Sequence, residues 1–244
     1  MMNTSQYASR SVAHTEARAD FMKRVYTWMS GGVLLTAIIA SYLGNNPEMV
    51  MSLVQTPPLF YGLMALQLVA VIALTAAINR MRASTAMALF VGYSALTGVT
   101  LSSLFLLYTH ESIAGVFLST ACGFAGLSLL GYTTKRDLGP VGSFCGMALF
   151  GLIGWGLLSM FVPSLMGGQG AIVYNILGLI VFAGLTAYDT QRIKAMYSGG
   201  GFSAAGGEAA EMETKVAIVG ALMLYLDFIN LFLSLLRLMG DRRR

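Results

Sequence analysis

The sequence predicts an all-α integral membrane protein with seven transmembrane helices. Of its 244 residues, 56% are hydrophobic and only 11% are charged, and the mean hydropathy is +0.70. Soluble domains carry about 25% charged residues, so this composition excludes an ordinary soluble fold. Seven apolar runs, and a regular alternation of loops with and without basic residues, lead to the same prediction.

Each apolar run is long enough to cross a bilayer as a helix, which takes about 20 residues. The runs cover residues 25–43, 59–78, 84–108, 112–131, 141–162, 171–190 and 214–238. We expect an N-terminal tail over residues 1–23, a seven-helix membrane domain over residues 24–240, and a basic C-terminal tail over residues 241–244. The two cysteines form no disulfide framework, and the basic residues flank the spans, which indicates topology signals and no nucleic-acid partner.

Lysine and arginine residues mark alternate loops. The tail before the first span is basic, and so are the loops after the second, fourth and sixth spans, with Arg80 and Arg82, Lys135 and Arg136, and Arg192 and Lys194. The first, third and fifth loops have no basic residue. Cytoplasmic loops carry the excess of lysine and arginine, so we expect a cytoplasmic N-terminus.

The C-terminal arginines break this alternation. Seven complete spans would place residues 242–244, all arginine, on the outer side. Either the last run is bent or re-entrant, or helix packing overrides the charge rule. We expect seven complete spans.

Two acidic residues lie within the apolar runs, Asp189 in GLTAYDTQRI and Asp227 in LYLDFINLF. A carboxylate in hydrocarbon costs roughly 2.5–3.5 kcal/mol even on the insertion scale. Each therefore needs a polar surrounding inside the helix bundle. Helical spacing places each on a polar stripe with other residues. The Asp227 stripe contains Gly220, Met223, Asn230, Ser234 and Arg237, and the Asp189 stripe contains Asn175, Gly178, Thr186 and Arg192.

Two polar stripes on consecutive spans are expected to face each other, because neither can face lipid. Two carboxylates in one dry site cannot both ionise cheaply, so Asp189 and Asp227 would share a proton and titrate as a pair. The pair would act as a pH sensor and gate. Its oxygens would line a polar path, and oxygen ligands suit hard cations such as calcium. We expect no bound cofactor.

A purely structural role for the two aspartates is the alternative. Asp189 lies near the end of its span and could pair with Arg192 or Lys194. Asp227 could accept hydrogen bonds from hydroxyl groups of a neighbouring span.

Small residues at four-residue spacing line one face of three spans. They are Ser94, Gly98 and Ser102 in the third, Gly115, Ser119 and Gly123 in the fourth, and Gly142 and Gly146 in the fifth. Such stripes allow helices to approach closely and pack by van der Waals contact. They predict a tight bundle and not a site.

The sequence contains no complete motif of the three enzyme classes considered below. An intramembrane aspartyl protease needs Gly-x-Gly-Asp at the second carboxylate, whereas residues 224–226, LYL, precede Asp227. A zinc protease needs H-E-x-x-H, but the segment HESIA ends at Ala114. No G-x-S-x-G nucleophile elbow occurs. We expect a protein that is not an enzyme.

Three segments resemble the Bax inhibitor-1 family, also called the transmembrane Bax inhibitor motif family, in its bacterial branch. They are YDTQRIK at 188–194, ALMLYLDFINLFLSLLRLMG at 221–240 and GVTLSSLFLLYT at 98–109. The resemblance implies a bundle with the last helix at its centre. It also implies a pH-sensitive calcium leak controlled by Asp189 and Asp227, in the bacterial inner membrane.

The resemblance also implies that an arginine after the second span exchanges partners with the first aspartate when the path opens. Arg80 and Arg82 are the candidates here, and we favour Arg80. The polar face of the last span, with Asn230, Ser234 and Arg237, would support the pair. One departure is a longer glycine-rich loop between the two aspartates, in which we expect Glu208, Glu211 and Glu213.

A regulator that transports nothing is the alternative function. Some bacterial relatives are similar to partners of membrane-anchored proteases, which they bind and restrain. The N-terminal tail, with Tyr7, Arg10 and Arg18, is where such a contact would occur. Calcium flux that depends on Asp227 would favour the channel, and copurification with a protease in the absence of flux would favour the regulator.

Overall fold

The computed structural model describes the chain over residues 4–199 and 207–243, and its side chains over residues 15–197 and 207–243. These residues form α-helices joined by short loops. In chain order the helices are α1 (Thr4–Gly44), α2 (Pro47–Val54), α3 (Pro57–Ala76), α4 (Ala83–Leu101), α5 (Leu104–Leu107), α6 (His110–Thr133), α7 (Gly139–Phe161), α8 (Gln169–Gly199) and α9 (Gly207–Met239). Short 3₁₀ turns occur at Ile78–Arg80 and Pro163–Met166.

Seven helical segments are long and apolar enough to cross a membrane, which confirms the predicted fold class within the described residues. Six of them lie in α1, α3, α6, α7, α8 and α9, while α4 and α5 together form the third span. The expected tail over residues 1–23 is helical from Thr4 and continues into the first span. The short helix α2 occupies the first loop and begins with Pro47, whose fixed φ suits the first helical position.

The last span lies at the centre of the bundle, as predicted. In α9, 67% of the most apolar stretch is buried, whereas the other six spans range from 11% to 39%. The helix packs against α1, α3, α4, α6 and α8. Ile218, Leu222 and Tyr225 of α9 are fully buried and join the main core. This helix therefore holds the surrounding spans together.

The C-terminus is paired with the third loop. The backbone nitrogen of Thr109 donates to the Asp241 carbonyl at 3.2 Å, and that of Arg243 donates to the Leu107 carbonyl at 2.9 Å. The Asp241 nitrogen also donates to Ser112 Oγ at 2.9 Å. The last span is therefore complete and neither bent nor re-entrant. The basic C-terminus therefore lies at the same end of the bundle as the third loop and departs from the alternation of basic loops.

The end of the bundle that carries the loops with Arg80, Arg82, Lys135 and Arg136 is called the basic face below.

Three glutamates expected in the long loop lie instead in the first turns of α9. Glu211 accepts from the Ala83 nitrogen at 3.1 Å and pairs with Lys215 at 3.4 Å. Glu213 pairs with Arg24 at 3.3 Å. Acidic groups near a helix N-terminus are favoured by the helix dipole. The remaining glycine-rich residues 200–206 lie outside the described part of the chain.

The small-residue stripes have different outcomes in different spans. In the third span, Ser94 and Ser102 are fully buried, and a Cβ at Gly98 would lie 2.8 Å from the Thr36 carbonyl oxygen. That prediction is confirmed. The fourth-span stripe of Gly115, Ser119 and Gly123 is exposed on the lipid side, so the prediction of close packing there is wrong.

The described topology predicts opposite labelling of two engineered cysteines. Lys135→Cys lies on the basic face and Arg243→Cys at the other end, where the backbone nitrogen of Arg243 donates to the Leu107 carbonyl. The charge alternation predicts a cytoplasmic basic face, so in sealed inside-out vesicles a membrane-impermeant maleimide should label only Lys135→Cys. In intact spheroplasts it should label only Arg243→Cys. Labelling of both from one side would contradict seven complete spans.

Candidate functional site

A cavity of about 900 Å³, called the aspartate cavity below, lies among α3, α4, α7, α8 and α9. Both aspartates of the apolar runs line it, together with polar side chains from all five helices. The polar lining residues are Gln67, Tyr93, Ser143, Tyr174, Tyr188, Asp189, Arg192, Asp227, Asn230, Ser234 and Arg237. The structure thus brings both aspartates to a single cavity inside the bundle.

The polar stripe of α9 runs along this cavity. Asp227, Asn230, Ser234 and Arg237 all line it, as does Met223 at the other end of the stripe. The fourteen helical steps from Met223 to Arg237 span about 21 Å of helix axis, a large part of a hydrocarbon core about 30 Å thick. The aspartate cavity therefore extends through most of the membrane thickness.

The Asp227 carboxylate is buried, and one of its two oxygens makes no hydrogen bond to the described residues. The side chain is 4% exposed, and its Oδ2 atom has no hydrogen-bond partner among the described residues. An unpaired charged group in a low-dielectric interior carries a large desolvation cost. Asp227 therefore combines a buried carboxylate oxygen that has no hydrogen-bond partner among the described residues with a place in the cavity that Asp189 also lines.

The aromatic residues of the LYLDFINLF segment pack in the core on the other faces of α9. Tyr225 is fully buried, its ring lies edge-on to Phe90 and Tyr93 with centroids 5.9 and 5.6 Å away, and its hydroxyl lies 2.6 Å from Thr36 Oγ1. Phe228 lies edge-on to Phe117 at 5.4 Å. Such edge contacts are favourable ring geometries. They fix the rotation of α9 and so keep Asp227 on the cavity side.

Asp189 lies on the α8 side of the aspartate cavity, with Arg192 one turn further along the helix. The Arg192 charge acts on the Asp189 carboxylate, although the two form no direct ion pair among the described residues. Lys194, the other cation considered for Asp189, donates to the Tyr132 carbonyl at 2.7 Å and lies 4.7 Å from the centre of that ring. Arg192 is thus the basic residue of this motif that lines the cavity.

Other residues of the YDTQRIK segment anchor α8 to its neighbours. A Cβ at Gly142 would lie 2.5 Å from the Tyr188 ring, so this ring rests directly on α7. Gln191 accepts from the Leu138 nitrogen and donates to the Arg136 carbonyl, both at 2.8 Å. These contacts hold the loop between α6 and α7 against α8, and they set the position of Asp189 along the membrane normal.

Two residues predicted on the Asp189 stripe lie outside the aspartate cavity. Thr186 is fully buried and donates to the Phe182 carbonyl at 2.7 Å. Asn175 donates to the Ala171 carbonyl at 2.7 Å and lines a separate cavity with Arg237 and Arg242. The stripe is therefore split, and only its Gly178, Asp189 and Arg192 positions border the aspartate cavity.

Arg80 and Arg82 are exposed on the basic face, and neither is among the residues that line the aspartate cavity. Arg82 lies close enough to Glu211 for their charges to interact. The arginine that lines the cavity beside Asp189 is Arg192. The three-residue spacing of Asp189 and Arg192, which places both on one helix face, was the sequence signal for it. Gln67 and Tyr93 were missed, because single polar residues in apolar spans give no such pattern.

The aspartate cavity offers few ligands for a resident metal ion. No group of three or more histidine, cysteine, aspartate or glutamate side chains occurs in the described part of the chain. Calcium takes six to eight oxygen ligands in a dedicated site. Two carboxylates, two amides and hydroxyl groups suit brief contact with a partly hydrated cation better than storage of a bound ion.

Comparison with known proteins places this arrangement in a family. The chain is 46% identical to the inner membrane protein YbhL of Escherichia coli over 228 residues, which cover 91% of this chain and 92% of YbhL. It is 41% identical to an uncharacterized protein of Borreliella burgdorferi and 38% identical to protein RP147 of Rickettsia prowazekii, over 91% and 96% of this chain and 92% and 95% of theirs. The family model described as inhibitor of apoptosis-promoting Bax1 matches residues 18–244. The chain therefore belongs to the Bax inhibitor-1 family.

Proposed function

We propose that this protein is a pH-sensitive cation leak of the bacterial inner membrane, with calcium as the leading ion, and that the aspartate cavity is its path. The observation that carries the proposal is that Asp227, whose buried Oδ2 atom has no hydrogen-bond partner in the described part of the chain, lines the same cavity as Asp189. The inner-membrane location follows the name of the relative YbhL.

A proton shared by the two carboxylates would join α8 to α9. Two carboxylates that line one cavity between α8 and α9 disfavour each other's ionisation, so we infer that they bind and release protons as a unit. A change in pH changes the number of protons held by the pair, and hence the attraction or repulsion between the two helices. That change opens or closes the path, and the freed oxygens then serve as transient ligands for a hard cation.

Two arginines set the electrostatics of the path. Arg192 and Arg237 line opposite ends of the aspartate cavity, with the carboxylates between them. Fixed positive charges raise the barrier for cations, so the resting path conducts weakly. This feature supports a slow leak rather than a high-flux channel.

Calcium influx into liposomes tests the proposal. The purified protein is reconstituted with an internal calcium dye, and influx is followed between about pH 5 and pH 8. We expect the wild-type rate to change several-fold over this range, and the rate of Asp227→Asn or Asp189→Asn to change less than about twofold, because neither variant retains a pair that shares one proton.

Asp241→Asn is the matched control, since Asp241 is exposed at the far end of the bundle and pairs through its backbone. It should keep the wild-type pH response. The leak proposal fails if folded wild-type protein admits no calcium at any pH. Copurification of a membrane protease under those conditions would favour the regulatory function instead.

A further inference from the structure

A second polar cavity, called the arginine cavity below, lies at the end of the bundle opposite the basic face. It has a volume of about 500 Å³, and its walls come from the third and fifth loops, the first turns of α8 and the C-terminal end of α9. Its polar lining residues are Tyr108, Tyr174, Asn175, Arg237 and Arg242. No aspartate or glutamate occurs among the described residues that line it, so the lining carries net positive charge.

The two arginines of this cavity have no acidic partner close by. Neither Arg237 nor Arg242 forms an ion pair with another described residue. The acidic residues of the neighbouring chain segments, Glu111 and Asp241, are exposed and do not line the cavity. Two guanidinium groups that share one cavity repel each other, so an anion between them is stabilised by both charges.

The first turn of α8 borders the same space. Gly168, Ala171 and Ile172 line the cavity, and α8, which begins at Gln169, has no acidic residue in its first turn. The N-terminal end of a helix carries a partial positive charge and unpaired N–H groups. A Cβ at Gly168 would meet no atom within 4 Å, so open space lies directly before the helix. The helix dipole therefore adds to the positive character of the arginine cavity.

Tyr108 supplies a hydroxyl group to this cavity. The side chain is only 4% exposed, and its ring packs in an apolar cluster with Phe232 and Leu236 of α9. No hydrogen bond within the described part of the chain uses its hydroxyl. Buried tyrosine hydroxyls usually have a hydrogen-bond partner, so this group is available as a donor to a ligand. The Asn175 amide, in contrast, already donates within α8.

The arginine cavity lies at the level of the lipid headgroups. Arg237 is in the last turn of α9 and Gly168 immediately precedes α8, so two membrane-spanning helices have an end there. Leu107 and Ile172 also line the cavity and are 59% and 53% exposed on the surface of the bundle. An apolar, lipid-facing edge beside a positively charged interior fits a phospholipid, whose acyl chains adjoin a phosphate group.

We propose that the arginine cavity binds a phosphate group, carried by an anionic phospholipid of the adjacent leaflet or present as free phosphate. Arg237 and Arg242 would hold the phosphate oxygens, because the planar guanidinium group matches phosphate geometry. The N-terminus of α8 would add backbone N–H donors, as helix N-termini do in other phosphate sites. The Tyr108 hydroxyl would donate a further hydrogen bond. The exposed Leu107 and Ile172 favour the lipid as the source.

This site adjoins the aspartate cavity but can be tested apart from it. Arg237 and Tyr174 line both cavities, whereas Arg242 and Ala171 line only the arginine cavity. The variants that test the site therefore leave Arg237 in place. Binding is measured without calcium, so a failure of the leak proposal would not affect the result.

Native mass spectrometry of the delipidated full-length protein in detergent tests the site. The protein is titrated with phosphatidylglycerol, or with a diacylglycerol that has the same acyl chains and no phosphate. Wild type should bind one phosphatidylglycerol several-fold more tightly than the diacylglycerol. Arg242→Gln should weaken phosphatidylglycerol binding about fivefold, the effect of one basic residue near a lipid surface. Arg243→Gln is the matched control and should leave binding unchanged, because Arg243 is adjacent and exposed but does not line the cavity.

A second pair of variants adds a negative charge. Ala171→Asp places a carboxylate in the cavity within the first turn of α8, where the helix dipole favours an acidic side chain and the fold is retained. It should weaken phosphatidylglycerol binding on the order of tenfold or more, because like charges in contact repel strongly. Gln169→Asp adds the same charge to the same turn at an exposed position outside the lining. It should weaken binding less than about threefold, because solvent screens an exposed charge.

Calorimetric titration with inorganic phosphate separates the two sources of the phosphate group. Phosphate binding that Arg242→Gln weakens and Arg243→Gln does not would assign the site to the free anion. Binding of phosphatidylglycerol without binding of inorganic phosphate would assign it to the lipid. The proposal is overturned if wild type binds phosphatidylglycerol and the diacylglycerol equally and binds no inorganic phosphate. Equal losses in the two arginine variants, or in the two aspartate variants, would also overturn it.

Discussion

Phenylalanine at Gly146 should reduce the calcium leak about tenfold or more, because the new ring would occupy the aspartate cavity and narrow the path. Gly146 lines this cavity from α7, and a Cβ added there meets no atom within 4 Å. The substitution therefore fills open space without displacing a packed neighbour. It leaves Asp189 and Asp227 in place, so it tests the route of the ion separately from the sensor. The measurement is calcium influx into liposomes at the pH of fastest wild-type leak.

Gly151→Phe is the matched control for this variant. Gly151 lies on the same helix, is exposed to lipid, also has no atom within 4 Å of an added Cβ, and is absent from the cavity lining. Its leak should match wild type. If Gly146→Phe conducts as well as Gly151→Phe while Asp227→Asn still flattens the pH response, the carboxylates sense pH but the ion takes another route.

The seven spans and the central acidic stripe could be predicted because both depend on periodic patterns. A run of about 20 apolar residues is a signature of membrane crossing whatever its neighbours are. The three- and four-residue spacing of Asp227, Asn230 and Ser234 defines one helix face before any packing is known. Since lipid excludes such a face, its burial against α8 followed from the sequence.

The partners of each face were less predictable, because a pattern on one helix does not say what lies opposite. Small residues at Gly115, Ser119 and Gly123 form as regular a stripe as Ser94, Gly98 and Ser102, yet the first faces lipid and the second faces α1. The positions of Gln67 and Tyr93 in the aspartate cavity could not be predicted either, because their own helices carry no pattern that identifies α8 and α9 as neighbours. The C-terminal pairing to the third loop depends on backbone groups, which carry no side-chain signal.

A tight contact between α6 and α8 occurs at Gly131, outside the glycine and serine stripe of α6. A Cβ at Gly131 would overlap the carbonyl oxygen of Ala187 and lie 2.9 Å from its carbonyl carbon. This contact involves backbone of α8, which cannot swing aside as a flexible side chain could. It lies two residues from Asp189, so the α6–α8 spacing also helps to position the first carboxylate.

Gly131→Ala should destabilise the protein by about 1–3 kcal/mol, the usual cost of overpacking a tight contact, and lower the melting temperature by several degrees. Gly126→Ala is the control on the same helix, where an added Cβ meets no atom within 4 Å. It should be neutral or stabilising by up to about 1 kcal/mol, because alanine favours helix over glycine. Thermal unfolding of both variants in detergent measures the difference. Equal melting temperatures would mean that α6 and α8 are further apart than the structure shows, and that the position of Asp189 does not depend on this contact.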